Sequence, residues 1–318
     1  MDYSQILSQQ FNIKEEYAKN IITLLDDGNT IPFIARYRKE MHGSMDDQLI
    51  REFAEKLEYL RGLDKRRDEI RSLIDAQEKL TDEINLALDK AATLSELEDI
   101  YRPYRPKKKT RASIAKEKGL EPLANDILKQ EKGFDPSKSA VDYIDEENGV
   151  TSVEDAIQGA MDIIAELVSD NAEIRKRIRN LTNANGVLVS VATDEEKDSV
   201  YKNYYDYKEP VKKIAGHRVL AVNRGEKEGF LKVSVETDSE KPLNSIFRAM
   251  ITDKNQLCSD IIREACTDAY QRLIYPSIER EVRNDLTDTA SENAMKVFAV
   301  PQAAAYAAAC KGQNRACT

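Results

Sequence analysis

From Asp46 to Glu78 the chain reads DDQLIREFAEKLEYLRGLDKRRDEIRSLIDAQE, without a proline and with a single glycine, Gly62. Its apolar residues recur every three or four positions, as they do along the buried stripe of an amphipathic helix. The stripe consists of Ile50, Phe53, Leu57 and Leu60, followed by Ile70, Leu73 and Ile74. This spacing predicts a long helix, bent near Gly62, and a mostly α-helical fold around it.

Helical patterns continue on both sides of this stretch. Toward the N-terminus, residues 13–26 carry an apolar stripe that stops at a glycine-containing turn. Toward the C-terminus, Thr81 begins a shorter helix, and Thr93-Leu94-Ser95-Glu96 has the form of a capping box that starts another. Further helical patterns cover residues 111–118, 120–130, 153–180 and 242–299, with Pro276 predicting a boundary or kink in the last.

A small β element interrupts the helices. Arg218–Val222 and Phe230–Glu236 alternate as strands do, and Asn223-Arg224-Gly225 between them is a turn signal, so the pattern predicts a β-hairpin. Residues 186–191 suit either a strand or a buried apolar turn. The predicted fold class is therefore mostly α: an elongated multi-helix assembly with a helix-turn-helix-like part and a small β-hairpin insertion.

Residues 102–118, which we call the basic segment, reverse the charge of an otherwise acidic chain. Tyr101 and Tyr104 stand at its start, and Pro103 and Pro106 favour extended backbone. A positive, aromatic-bearing segment of this kind suits a phosphate backbone. The alternative is a solvated loop whose cations pair with acids elsewhere. The predicted nucleic-acid-binding residues are Arg102, Arg105, Lys107, Lys108, Lys109, Arg111 and Lys116; Lys118 adds a further cation, and Glu117 is the one acid.

The surrounding stretch, LEDIYRPYRPKKKTRASIAKEKGLEPLA at Leu97–Ala124, resembles the N-terminal region of the Tex family of bacterial transcription accessory proteins. Three more stretches carry the resemblance: TIPFIARYRKE at Thr30–Glu40, YYDYKEPVKKIAGHRVLAVNRGEKEGFLKV at Tyr204–Val233, and YPSIEREVR at Tyr275–Arg283. The resemblance implies a multidomain RNA- and DNA-binding protein linked to transcription. Family members continue into an RNase H-like domain, a helix-hairpin-helix domain and an S1 RNA-binding domain, none of which we expect in this sequence.

The predicted domains follow from these patterns. They are a Tex-type N-terminal helical domain over 1–185, a small β-containing segment over 186–240, a helical segment over 241–299 and an atypical tail over 300–318. The tail includes the low-complexity run PQAAAYAAAC at 301–310. The resemblance stops near Val300, so we expect a truncated or frameshifted reading frame and a poorly packed tail.

Composition limits the function classes. The chain has 318 residues and a net charge of −9, so any nucleic-acid contact must come from a local patch. It has no apolar run near the ~20 residues that a membrane helix requires, and MDYSQILSQQ is not a signal peptide. The four cysteines form no CxxC pair. We therefore expect reduced thiols in a cytoplasmic protein that does not contact membranes.

Three further groups of residues each allow two interpretations. Residues 111–130 suit a DNA-reading helix-turn-helix or two short packed helices. Four tyrosines between 201 and 207 stand beside lysines and suit base stacking, although we favour packing. Arg36 and Arg38, beside Tyr37, suit phosphate binding or pairing with nearby acids, namely Glu40, Asp46 and Asp47.

Catalytic signatures are missing from the sequence. His42 and His217 are the only histidines, and neither stands in a metal-ligand spacing. We find no phosphate-binding glycine loop and no GxSxG elbow, so the sequence predicts a non-enzyme without cofactors. The predicted function is the N-terminal architectural module of a transcription accessory factor, with weak, non-specific contacts to RNA or DNA, and with transcription- or ribosome-associated proteins as further partners. The alternative is a protein-interaction scaffold in which the basic segment is an intramolecular brace.

Overall fold

The chain divides into two compact units, Met1–Arg105 and Pro106–Thr318, with the division inside the basic segment. The structure, a computed structural model, describes residues 2–106, 108–252 and 254–313, with side chains up to Ala294. The described residues are mostly helical with one small sheet, which confirms the predicted fold class. The elongated arrangement and the four-part division into domains stay predictions.

Helices build the described part of the first unit. The predicted long helix is uninterrupted at Gly62 and begins after Asp46, whose carboxylate accepts a hydrogen bond from the Leu49 backbone N–H at 2.8 Å. The helices are α1 (Tyr3–Phe11), α2 (Glu15–Asp26), α3 (Ile31–Tyr37), α4 (Lys39–His42), α5 (Asp47–Asp75), α6 (Asp82–Lys90) and α7 (Leu94–Tyr101).

The apolar stripe of α5 forms the core of this unit in two clusters. Ile50, Phe53, Leu57 and Leu60 pack with α1–α3, and the later part of the stripe packs with α6 and α7. Leu73, which we assigned to the stripe, is instead 42% exposed. Arg67 is buried on that side, where its guanidinium donates to the carbonyls of Leu88 and Ala91 at 2.8 and 2.9 Å and pairs with Asp64.

The second unit combines helices with the sheet. In it, α8 and α9 pack on α11, where Ala115, Leu120 and Ala160 share one buried cluster. Its elements are α8 (Arg111–Glu117), α9 (Glu121–Lys129), α10 (Pro136–Ala140), α11 (Val153–Asp170), α12 (Ala172–Asn185), β1 (Val187–Ala192), β2 (Asp206–Pro210), α13 (Gly216–Lys227), β3 (Leu231–Glu236), α14 (Glu240–Met250), α15 (Gln256–Asp268) and α16 (Tyr275–Gln313).

The sheet corrects the predicted hairpin. Its order is β2-β1-β3, both pairings are antiparallel, and Val189 of the central strand lies opposite Lys208 and Ser234. The second predicted strand exists as β3, but the first is wrong because residues 216–227 form α13. Val219 and Val222 lie three positions apart and are both buried, which is a helical spacing. Residues 186–191, left open above, contribute the central strand.

Three other segments refine the sequence-based picture. The helix predicted over 153–180 is two helices, because Asn171 caps α12 by accepting from the Ile174 N–H at 3.0 Å. Pro276 stands at the start of α16, directly after a π-helical stretch at Ala269–Ile274, so the predicted boundary is confirmed. Arg102–Tyr104 forms a 3₁₀ turn instead of extended backbone. The side chains of the tail, and residues 314–318 entirely, lie outside the described residues.

Candidate nucleic-acid interface

The structure distributes the predicted binding residues over both units. Arg102 and Arg105 belong to the first unit, whereas Lys108, Lys109, Arg111 and Lys116 belong to the second. Lys107 lies outside the described residues.

In the first unit, the two arginines follow the end of α7. Arg102 lies in the 3₁₀ turn and is half-buried. Arg105 has a side chain that is 61% exposed, with Nη2 3.6 Å from the Glu98 carboxylate. Glu98 also accepts from Nε of Arg66 at 2.7 Å, so Arg105 shares its acid with a shorter ion pair. Of these two arginines, Arg105 is the better placed to meet a ligand.

In the second unit, Lys108 and Lys109 are exposed and lie just before α8. Thr110 fixes the start of that helix by a capping box, in which its hydroxyl accepts from the Ser113 N–H and the Ser113 hydroxyl accepts from the Thr110 N–H. Lys109 approaches Glu117 at 3.5 Å, with both side chains about two-thirds exposed (68% and 65%). In the described part of this unit, Lys108 is exposed and forms no ion pair.

Lys116 makes a similar surface pair with Glu121, at 3.2 Å, on exposed side chains. Ion pairs between exposed side chains contribute little to stability, since water and salt screen them and two long side chains lose conformational freedom. The pairs of Lys109 and Lys116 can therefore exchange a carboxylate for a phosphate at low cost. The sequence analysis gave pairing of these cations with acids as the alternative to binding. Such pairs exist for Lys109 and Lys116, but they are weak because both partners are exposed.

Arg111 has a different environment at a surface depression of about 260 Å³ between α8 and α11. Asp162 lies in the same depression, and burial raises its pKa above the ordinary value while Arg111 and Arg272 oppose that rise. Lys118, also at this depression, donates from Nζ to the Gly149 carbonyl at 2.6 Å. Arg111 and Lys118 thus face groups of their own unit.

The two helices predicted over 111–130 are present as α8 and α9. Ala115 is buried, and Gly119 between the helices has φ of +79°, a value that favours glycine. The exposed side chains of α9 are Glu121, Pro122, Asn125 and Lys129. An acid at the start of the second helix would face DNA phosphates unfavourably, so this surface favours two packed helices over a DNA-reading pair.

The tyrosines between 201 and 207 pack, as we favoured. Tyr201 is buried in a cluster with Leu188, Val222 and Leu231, and the other three tyrosines are half-buried against it. The Tyr207 hydroxyl donates a hydrogen bond to the Glu209 carboxylate, which also accepts one from Arg218 at 3.0 Å. These rings complete the core beside the sheet, and their hydroxyls lie at its rim.

The described residues contain neither a candidate metal centre nor a helix suited to a membrane. In those residues, no three or more histidine, cysteine, aspartate or glutamate side chains are placed to hold a metal ion. Every helix of the described part is too short or too polar to cross a bilayer.

Comparison with known proteins finds two family models. Residues 131–298 match the model described as Tex central region-like, and residues 1–75 match the one described as Tex-like protein N-terminal domain. The basic segment lies between the two matched ranges.

Relatives are similar along nearly the whole chain. The protein YdcI of Bacillus subtilis is 42% identical over 305 residues, which are 94% of this chain and 42% of that protein. The transcriptional accessory protein Tex of Neisseria gonorrhoeae is 35% identical over 310 residues, 94% of this chain and 40% of the relative. The S1 RNA-binding domain-containing protein 1 of Homo sapiens is 30% identical over 314 residues, 93% and 31% respectively. The chain thus spans less than half the length of these relatives.

Proposed function

This chain belongs to the Tex family, and from that membership we propose that it contributes sequence-independent contacts to the phosphate backbone of RNA or DNA within a transcription accessory factor. The family resemblance inferred from the sequence is confirmed by these two family models, which include three of the four stretches that carry it; Leu97–Ala124 lies between the matched ranges. The names of two relatives, a transcriptional accessory protein and an S1 RNA-binding domain-containing protein, support a role with nucleic acid in transcription. A cytoplasmic location and the absence of catalytic activity are parts of this proposal.

The observation that carries the proposal is the exposed group of cations on α8 and immediately before it. Lys108 is exposed without an ion pair in the described part of its unit, and Lys109 and Lys116 have only exposed carboxylates as partners. A polyanion that offers several phosphates releases bound counterions as it associates, which a single surface carboxylate does not. Phosphate contacts should therefore replace these intramolecular pairs at low salt.

The expected binding is weak and strongly dependent on salt. Sequence-independent contacts usually have a Kd around 10⁻⁴–10⁻⁶ M at physiological salt. The logarithm of the binding constant should fall against the logarithm of salt concentration with a slope of about −0.9 for each duplex phosphate neutralised. An interface made by apolar contacts with a protein would show little such dependence.

The test is a charge reversal of Lys107, Lys108 and Lys109 to glutamate. The matched control reverses Lys129, Lys132 and Lys138, which are also exposed and belong to the same unit, so both variants change the net charge equally. Anisotropy titrations with labelled single-stranded RNA and duplex DNA should show binding lost in the first variant and retained in the control. Unchanged binding in the first variant, or equal loss in both, would remove the basic segment as the site. Thermal melts establish that each variant is folded.

The rival function is the protein-interaction scaffold, in which the ion pairs of Lys109 and Lys116 serve to brace α8. Under that reading, the triple substitution at 107–109 lowers the melting temperature and leaves nucleic-acid affinity unchanged. Transcription- or ribosome-associated proteins would then bind through other surfaces, with little dependence on salt. The triple substitution therefore distinguishes the two functions: it lowers nucleic-acid affinity under the first and the melting temperature under the second.

A further inference from the structure

A second cationic surface lies in the first unit, on α3 and α4. It consists of four consecutive exposed side chains, and we call it the α3 surface: Arg36, Tyr37, Arg38 and Lys39. Tyr37 is 65% exposed, which is unusual for an aromatic side chain in a folded unit. The function proposed above makes no use of these residues.

The ring of Tyr37 packs at an angle of 41° against the neighbouring, half-buried ring of Phe33. The ring centroids of Phe33 and Tyr37 are 5.3 Å apart, and the Arg38 guanidinium lies 5.4 Å from the Phe33 centroid. Both distances are within the ranges of favourable aromatic and cation–π contacts. The inner ring is thus covered by its neighbours, whereas the outer ring of Tyr37 is largely open to solvent.

Two of the three acidic residues that could pair with Arg36 and Arg38 are used elsewhere, and the third, Glu40, is exposed next to Lys39 and forms no ion pair in the described part of this unit. Asp46 caps α5 through the Leu49 N–H at 2.8 Å, and Asp47 pairs with Arg51 at 3.2 Å. Within the described part of the first unit, Arg36 and Arg38 form no ion pair. Of the two interpretations of these arginines, pairing with nearby acids is thus not found among the described residues, and their charge is available to a ligand.

The backbone beneath the α3 surface is held by buried contacts. Ile34 is fully buried, and its carbonyl accepts a hydrogen bond from Nε2 of the buried His42 at 3.0 Å. Since a carbonyl can only accept, His42 carries a proton on Nε2. Asn20 of α2 donates to the Met41 carbonyl at 3.1 Å. The exposed side chains thus project from a pre-organised turn, which lowers the entropy that a ligand must overcome.

We propose that the α3 surface binds single-stranded nucleic acid, with one base stacked on Tyr37 and the neighbouring phosphates on Arg36 and Arg38. Sequence-tolerant stacking on an aromatic ring beside cations is how proteins hold unpaired strands. A duplex keeps its base faces covered, and an acidic peptide would use the cations without the ring. The proposal shares its ligand class with the proposed function, but its residues belong to the other unit.

The chain has no tryptophan, so a single substitution creates a specific fluorescent reporter. The variant is Tyr37→Trp. The matched control is Tyr59→Trp, because Tyr59 is also exposed, at 42%, and has Lys56 Nζ 4.8 Å from its ring centroid. Tyr59 differs in being flanked by Glu55 and Glu58 on α5. Each variant of the whole 318-residue chain is titrated at low salt with oligo-dT, with oligo-rU, with duplex DNA of the same length and with polyglutamate.

We expect the oligonucleotides dT and rU to quench the Tyr37→Trp emission and the duplex to leave it unchanged, with no quenching of the Tyr59→Trp control. Tyr37→Ala should weaken single-strand binding about fivefold, since stacking one base on an aromatic ring contributes at least that factor. Tyr59→Ala should bind as the unmodified chain does. Equal quenching of both reporters, quenching by duplex, or quenching by polyglutamate would each overturn the proposal.

A combined variant separates this inference from the proposed function. Tyr37→Trp is placed in the chain that carries the three glutamates at 107–109. Persistent quenching there, with duplex binding lost, supports both proposals. Quenching with duplex binding intact leaves the α3 surface standing and removes the basic segment. If instead the triple substitution weakens binding and Tyr37→Trp is never quenched, the α3 surface alone is wrong.

Discussion

Gly159 of α11 lies against Leu120, the residue between α8 and α9, so closely that a β-carbon at position 159 would overlap Cδ1 of Leu120. The same β-carbon would lie 3.4 Å from Cβ of Ala115. Ala115 and Leu120 are both buried, so neither can move into solvent. This close approach seats the two helices on α11 and thereby fixes where α8 presents its cations.

Gly159→Val should therefore destabilise the second unit. Overpacking of a filled interior usually costs about 1–3 kcal/mol, which exceeds the gain in helix propensity from replacing glycine. Gly62→Ala is the matched control, because nothing lies within 4 Å of a β-carbon there and the site is helical. We expect that change to stabilise by about 0.5–1 kcal/mol. Denaturant unfolding measures both, and two shifts of the same sign would contradict the packing described.

Leu231→Asp should cost about 3 kcal/mol or more in the free energy of unfolding. Leu231 begins β3 and is 2% exposed in the cluster that includes Tyr201 and Val222, and a carboxylate there would be buried without a partner. Lys232→Asp, one position along on the exposed face of the strand, should change stability by at most about 0.5 kcal/mol. Equal melting temperatures for the two variants would show that the alternation of β3 is misassigned.

Gln130→Leu should loosen the packing between the end of α9 and the end of α14. The Gln130 side chain donates to the Met250 carbonyl at 2.9 Å and accepts from the Thr252 N–H at 2.9 Å. Leucine would leave both backbone groups unsatisfied, at about 1–3 kcal/mol. The control is Gln256→Leu, which removes an exposed hydrogen bond to Asp260. Faster amide exchange at Thr252 in the Gln130 variant, and not in the control, is the expected signature.

Alkaline pH should destabilise the fold in part through Cys266. Burial raises the pKa of this thiol from its ordinary value of 9.0 to about 12. The unfolded chain therefore releases the proton above pH 9 while the folded chain holds it, so stability is lost as pH rises between 9 and 12. The loss reaches about 1.4 kcal/mol per pH unit for one such group.

Cys266→Ala should make the free energy of unfolding less steep in pH than that of the unmodified chain. The comparison is sharpest between pH 9 and 10, because the pKa of Tyr275 is also raised by burial, from 10.0 to about 12, and adds its own loss above pH 10. The slope is the relevant quantity, since the alanine also leaves a cavity that lowers stability at every pH. Identical slopes would mean that the thiol is accessible to water.

Local information was enough to predict most helices. The stripe from Ile50 to Leu60, the helix start at Thr81 and the cap at Thr93 depend on residues close together in the chain, and the structure confirms each of these helices. For short apolar runs, the spacing of the apolar residues alone does not distinguish a strand from a helix. Residues 218–222 are part of α13. The strand that pairs with β3 is instead β1, some forty residues earlier in the chain.

The sequence also shows where the cations lie along the chain, but it does not show which of them are free to bind a ligand. Whether Arg38 meets a ligand depends on which acids come near in space, and two acids close to it in sequence, Asp46 and Asp47, are engaged by a helix cap and an ion pair. The burial of Arg67 illustrates the same limit, since its partners are carbonyls at the end of α6. Periodicity and caps determined the helices because they act locally, whereas pairing, burial and free charge were decided by contacts between residues distant in the chain.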